Sequence, residues 1–252
     1  IANPPQNWDE AIEFAKKLTK YSAGGDIERS GLALGTYANV ARSFEIISAL
    51  LLQSGDQIIE RGSGKISLSE KNSGKAISFY TSFSNPKKNL YFWNGRMPNS
   101  LDAFAQNKAS MALGLAEDLE LIKLKNPRVN IGIAPLPQII NSEKKSTYAS
   151  YVFKGVSKMS KNPLEAWRFL LYLSNRENSK NYIELAKRPP ARRDLISQAP
   201  NSLGAFYAQS LYSEDWPVPE ENAVLEIFKD VIASIDFAVG QLELQLNLLL
   251  NK

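Results

Sequence analysis

Asn99-Ser100-Leu101-Asp102-Ala103-Phe104-Ala105-Gln106-Asn107-Lys108-Ala109-Ser110-Met111-Ala112-Leu113-Gly114 changes its hydrophobic rhythm half way along. Asn99 or Ser100 supplies a side-chain oxygen to cap a helix, and the run through Asn107 keeps helical character. From Ala109 to Gly114 the sequence is apolar enough for a short buried strand. A helix that hands over to a buried strand within sixteen residues is the signature of alternating α/β architecture, so the neighbours of this stretch are read with that alternation in mind.

Downstream the pattern repeats. Leu119 to Lys125 reads as a short helix, and Val129 to Ala134 as a strand stopped by Pro135 and Pro137. Thr147 to Ser157 alternates as a third strand, followed by helices over Pro163–Ser174, with Pro at the first turn, and Glu177–Ala186. Lys187 to Asp194 is a basic, proline-containing connection, and helices return at Leu203–Tyr212 and from Glu221 onward.

Upstream, Gly31 to Gly35 reads as a buried strand. Thr36 to Asn39 is a loop, and Arg42 to Gln53 a helix with apolar positions at Phe44, Ile47, Leu50 and Leu51. The chain opens on a helix capped by Asn7, with Glu10 three residues on as in a capping box, and with Trp8, Ile12, Ala15 and Leu18 as its buried stripe. Ser54 to Ser73 suggests a small hairpin, Lys75 to Ser84 an amphipathic helix, and Asn85 to Pro98 a loop holding Tyr91, Phe92 and Trp93. The expected fold class is α/β, with a mainly parallel sheet flanked by helices.

Composition removes most chemistries. The 252 residues contain no cysteine, so disulfides, thiolate nucleophiles and cysteine metal sites are excluded. They contain no histidine, which removes the Ser-His-Asp triad, the usual imidazole base and most transition-metal sites. An enzyme would have only carboxylate, lysine or tyrosine chemistry left, so the expectation is a binding protein that transforms nothing and needs neither metal nor cofactor. Thirty basic against 26 acidic residues give +4, spread along the chain, which permits but does not argue for nucleic acid. No apolar run approaches the roughly 20 residues of a membrane-spanning helix. The opening Ile1-Ala2-Asn3-Pro4-Pro5 has no signal-peptide pattern, and so abrupt a start fits a mature chain or a piece of a longer one.

Several local features carry a sharp and a bland reading. Gly64-Lys65 and Gly74-Lys75 invite a phosphate loop but lack the upstream glycine and the following hydroxyl, so both read as turns. Glu117-Asp118 falls where the strand 109–114 gives way to a helix, the end at which open α/β sheets bind ligands. Two carboxylates there can accept hydroxyl hydrogen bonds. Spacing alone favours the plainer role of acids complementing a helix dipole. A glycosidase needs two carboxylates facing one another, which adjacent residues do not provide, although a cross-pair such as Glu117 with Glu220 stays open. Among the aromatics, Tyr91, Phe92, Trp93, Tyr148, Tyr151 and Trp216 lie in loops or at strand ends, where such rings pack on sugar-like ligands. Core packing is the better reading for Phe92 and Trp167, while Trp93 and Trp216 are balanced between the two. Lys187–Asp194 has four basic residues without interleaved aromatics, so it reads as a stiff connection rather than a nucleic-acid patch.

In order along the chain, Pro4-Pro5-Gln6-Asn7-Trp8-Asp9-Glu10, Gly31–Gly35, Asn99–Met111, Asn130-Ile131-Gly132-Ile133-Ala134-Pro135-Leu136-Pro137 and Arg188-Pro189-Pro190-Ala191-Arg192-Arg193-Asp194 resemble the extracellular solute-binding proteins of ABC importers. The similarity covers essentially the whole chain and is nearest the sugar-binding group that includes maltose-binding protein. That resemblance implies a type II periplasmic-binding-protein lobe with the first part of the other lobe missing. It implies residues 1–187 plus 213–252 as a C-terminal lobe, and 188–212 as a crossover and a segment returning toward the missing lobe.

The resemblance also implies the site. Carried over by position, the ligand face comprises the loop at Gly35, Thr36, Tyr37 and Asn39, the turn at Leu115, Glu117 and Asp118, Tyr148 and Tyr151, and Trp216, to which Trp93 is added. The hinge falls at Arg188, Pro189, Pro190, Ala191 and Arg192. Where maltose-binding protein has a tryptophan this chain has Glu117, so a different saccharide is expected. The implied function is capture of a small polar solute, a sugar or oligosaccharide, for ABC permease subunits, with an extracytoplasmic parent and a possible dimer through the exposed lobe face. A carboxylate-dependent glycoside hydrolase is the alternative from another class, and a purely structural module a third.

Overall fold

The structure, a computed structural model, describes residues 3–55, 66, 68–142, 144–198, 200, 203–215, 221–233 and 246–249. Helix α1 spans Trp8–Leu18. Asn7 caps it by accepting from the Glu10 N–H at 2.9 Å, and Glu10 answers by accepting from the Gln6 N–H at 2.8 Å and the Asn7 side chain at 2.9 Å. Trp8, Ala11 and Ala15 are buried, with Ile12 half-buried beside them. A hairpin of β1 (Lys20–Tyr21) and β2 (Ile27–Arg29) follows, then α2 (Ser43–Gln53), α3 (Glu70–Ser82), α4 (Ser100–Ala105) and α5 (Asp118–Lys125). Strand β3 (Thr147–Tyr148), helices α6 (Pro163–Ser174), α7 (Arg176–Ala186) and α8 (Gly204–Gln209), strand β4 (Ser213–Glu214) and helix α9 (Glu221–Ala233) complete the order.

Every helix expected within the described residues is present. Helix α3 begins five residues before the expected Lys75, because Ser69 caps it through the Asn72 N–H at 3.2 Å. Most of the expected hairpin over 54–73 lies outside the described residues.

The strands differ more. All of Gly31–Gly35 is buried as expected, yet its pairing reduces to a parallel contact between Ser30 and Ala109 and a bond from the Ala33 N–H to the Met111 carbonyl at 3.1 Å. Residues 129–134 form no ladder among the described residues, and only the first two residues of 147–157 pair, in parallel with Ser213 and Glu214. The apolar runs announced burial correctly. They could not announce ladders, because pairing needs a neighbour at hydrogen-bond distance along the whole strand, and period alone does not supply one.

One core joins α1, residues 32–34, α2, α3 and α9, with Phe92 and Trp93 inside it. Gln53, buried at the end of α2, ties it together. Its side-chain oxygen accepts from the Trp8 indole at 2.8 Å, and its amide donates to the carbonyls of Pro137 and Ser146, both at 3.1 Å. A second cluster packs Leu203 and Tyr207 on Ala116.

Burial is uneven along the chain. No described residue between 147 and 189 is buried, and neither α6 nor α7 buries a side chain. Leu195, Leu203 and Tyr207 are buried, the last two in a cluster with Ala116. The most exposed part is an arm built of α6 and α7, joined through Asn175, which ends one helix and caps the other by accepting from the Asn178 N–H at 2.9 Å.

Candidate functional site

The arm and the body enclose a cleft of about 1540 Å³. Ligand pockets for small molecules run to about 300–1,000 Å³, so this one has room for an extended ligand. The body contributes residues 109–119, 129–137 and 147–152, the arm contributes α6 and α7, and Arg188 to Arg192 cross its edge.

The chemistry at the centre is a knot of charge. Arg42 immediately precedes α2 with φ of 60°, a left-handed conformation that aims its side chain across the cleft wall. Its Nε donates to both Asp118 oxygens at 3.2 and 3.0 Å, and its Nη2 to Asp118 Oδ1 at 2.8 Å and Glu117 Oε1 at 2.7 Å. Glu117 Oε2 accepts from Arg188 Nη2 at 2.6 Å. Asp118 is 2% exposed and also accepts the Leu115 N–H at 2.8 Å, which closes the turn into α5. Hydrogen bonds to Asp118 hold the Arg42 guanidinium above its ordinary range, and burial opposes that shift without cancelling it. Both acids expected to greet hydroxyls are therefore already engaged by arginine.

The other expected site residues separate into three groups. Tyr148 and Tyr151 line the cleft, Tyr151 with its hydroxyl 2.6 Å from Ser213 Oγ, and so do Arg188, Pro189, Pro190, Ala191 and Arg192. Thr36, Tyr37, Asn39 and Trp93 form no part of its wall. Trp93 is fully buried and donates its indole N–H to Asn39 Oδ1 at 2.9 Å. The Asn39 amide is spent on the carbonyls of Asn94 and Met97, at 3.0 and 2.7 Å, and its Oδ1 also bonds Thr36 Oγ1. Thr36, Asn39 and Trp93 form a clasp for the 35–39 loop, which Tyr80 and Ser84 fasten from the other side through the Thr36 and Gly35 carbonyls, each at 2.8 Å. Trp216 lies outside the described residues.

Trp167 reverses its expected place: it is 52% exposed and lines the cleft, because the arm that carries it has no packed face. Arg42, Tyr182, Lys154 and Arg29 also line the cleft and carried no distinguishing sequence signal. Only a fold can bring Arg42 against Asp118, 76 residues away.

Tyr37 yields a stability prediction. Burial pushes its hydroxyl from 10.0 up to about 12, with the charges of Glu45 and Glu226 adding to the effect. In the folded state the proton is held more tightly, so its stabilising contribution is intact below about pH 10 and is lost as pH rises toward 12. Urea midpoints measured from pH 8 to 12 are expected to fall in that window, and more shallowly in Tyr37→Phe. An equal fall in both proteins would remove Tyr37 as the cause.

Among known proteins, the family model for bacterial extracellular solute-binding proteins matches residues 2–205. A galactooligosaccharide-binding protein of Bacillus subtilis (strain 168) is 29% identical over 126 residues, which is 48% of this chain and 30% of that protein. A solved ABC-transporter solute-binding protein of Thermotoga lettingae, bound with α-D-tagatose, aligns with a TM-score of 0.65 and 19% identity over 98% of this chain and 65% of its own. A cyclo/maltodextrin-binding protein complexed with maltotetraose aligns with a TM-score of 0.70 and 17% identity over 100% of this chain and 65% of its own. The chain thus spans about two thirds of the length of those structures and less of the curated relative. At such identities the likeness defines the fold, the α/β architecture of type II periplasmic binding proteins.

Proposed function

Because the chain belongs to the bacterial extracellular solute-binding proteins, we propose that it binds a saccharide in the cleft between body and arm and, as part of a longer protein outside the cytoplasm, hands it to the permease of an ABC importer. The observation that carries this reading is the cleft wall itself. Tyr148, Tyr151, Trp167 and Tyr182 bring aromatic faces to a space large enough for several sugar rings. Rings of this kind cover the apolar faces of a sugar, leaving its hydroxyls to backbone and polar groups. The names of the curated relative and of the maltotetraose complex point to oligosaccharides for those two proteins, which agrees with the size of the space.

The arm is the moving part in this reading. Helices α6 and α7 make an excursion from the body, and Arg188 to Arg192 form the crossing about which they swing, as in hinge closure around a ligand. Pro189 and Pro190 stiffen that crossing, and the Arg188–Glu117 pair fastens it to the body. The apolar faces of α6 and α7 are then surfaces for the remainder of the longer protein. A carboxylate hydrolase gains nothing here, since Glu117 and Asp118 lean on the same arginine rather than face each other.

Titration calorimetry of the chain with galactooligosaccharides and maltotriose tests the reading. Saturable binding is expected, with no sugar released as product, and Tyr151→Ala is expected to weaken it by about tenfold, near 1.4 kcal/mol. No heat with any saccharide, or hydrolysis of the ligand, would overturn it.

A further inference from the structure

One end of the cleft carries charge that nothing in the protein answers. Arg29, half-buried at the end of β2, lines the cleft, and its Nε is buried without a hydrogen-bond partner. The Ser110 hydroxyl lines the same cleft and is likewise buried and unpartnered. The two are brought together by the parallel contact of Ser30 with Ala109, in which the Ser30 N–H donates to the Lys108 carbonyl and the Ser110 N–H to the Ser30 carbonyl, both at 2.8 Å. Side chains alternate across such a pairing, so Arg29, Lys108 and Ser110 fall on one side of the ribbon, opposite Ser30 and Ala109.

Lys20 is the register partner of Arg29 on the other flank. Three cations therefore stand in a row across adjacent segments, and none has an ion-pair partner among the described residues. Like charges placed directly across from one another are destabilising, and a half-buried guanidinium without an acceptor is costly. Lys20 and Lys108 are exposed, and Arg29 is the one of the three that lines the cleft, where its guanidinium calls for an anion.

The rest of the wall gives the same sign. Five basic and three acidic residues line the cleft. All three acids, Glu45, Glu117 and Asp118, are engaged by Arg42, and Arg192 is paired with Asp194. Lys154 lies over the ring of Tyr182, 5.5 Å from its centroid, leaving its charge uncompensated by any carboxylate. The cleft has no free acid to repel an anionic ligand.

We propose that the Arg29 end of the cleft is a subsite for a carboxylate carried by the saccharide, so that the preferred ligand is an acidic oligosaccharide built from uronic acids. The inference rests on the saccharide-binding reading above and narrows its ligand class. The planar guanidinium suits a carboxylate through two parallel N–H···O bonds, and the Ser110 hydroxyl supplies a third donor.

The test compares a galacturonic acid trimer with the neutral galactose trimer of the same linkage, by calorimetry on the purified chain at low and high salt. The acidic trimer is expected to bind at least about tenfold more tightly at low salt, and the margin to shrink as salt screens it. Arg29→Gln should remove that margin, bringing the two trimers to the same affinity. Ser110→Ala, a smaller change, should reduce the margin even if the arginine variant folds poorly. Equal affinity for the two trimers overturns the subsite while the saccharide reading stands, and no binding of either overturns both. Sulfate binding that depends on Arg29, without any preference for the acidic trimer, would mean a free anion site only and also overturns the proposal.

Discussion

Gly31→Ala is expected to be among the most damaging single substitutions in the chain. A Cβ at this position would sit 2.0 Å from the carbonyl oxygen of Ala15 and 2.6 Å from its carbonyl carbon and Cα. These are backbone atoms of α1, in a helix whose inner face is already packed, so no side chain can swing aside. Overpacking a core costs about 1–3 kcal/mol and more where the obstacle is rigid. For a chain of this length about 3 kcal/mol corresponds to a fall of roughly 6–12 °C in the thermal midpoint. Gly132→Ala is the control, because nothing lies within 4 Å of its new Cβ. A Gly31→Ala protein that melts with the parent would mean that α1 does not rest on this segment.

Arg42→Leu is expected to be as costly by a different route. It leaves the carboxylate of Asp118, 3% exposed at its side chain, facing the cleft wall without its cation. Removing one partner of a buried pair costs about 3–5 kcal/mol, because the remaining charge is stranded. The diagnostic result comes from the double variant. Arg42→Leu with Asp118→Asn removes the stranded charge while keeping an acceptor for the Leu115 N–H, and is expected to recover more than half of the loss in urea unfolding. A double variant no more stable than Arg42→Leu alone would show that the arginine acts through packing rather than charge. Neither variant should touch the Arg29 row, so their effects on the preference for acidic sugar should be small.

What could be read from the sequence was local. The caps at Asn7 and Asn99, the proline at the start of α6 and the helical stripes are short-range patterns, and the helices stand close to where those patterns put them. Burial was legible too, at Gly31–Gly35 and at Phe92. Strand pairing was not, since the partners of residues 31–35 lie near residue 110 and no periodicity encodes that separation.

The site was half legible for the same reason. Glu117 and Asp118 were placed at the cleft by their position after the apolar run 109–114, but the residue that claims them, Arg42, comes from a distant loop. Asn39 entered the expected site through the family resemblance, and Trp93 was balanced between ligand contact and core packing. In the folded chain they bond each other, and the Asn39 amide is taken by the Asn94 and Met97 carbonyls, pairings that no local pattern encodes. Trp167 misled in the opposite direction, because an apolar helical stripe predicts burial only where something lies opposite to cover it.

The amide of Gln53 has a consequence for how the molecule comes into being. Its three partners lie 45, 84 and 93 residues away along the chain. A polypeptide leaving the ribosome therefore holds the indole of Trp8 early, while the two carbonyls that complete the junction arrive only after residue 146 has been translated. Until then α1 and α2 have no lasting lid, and the ordering cost of so distant a closure falls late in the process. Nascent chains of this protein should accordingly complete the Gln53 junction only once residue 146 has left the ribosome.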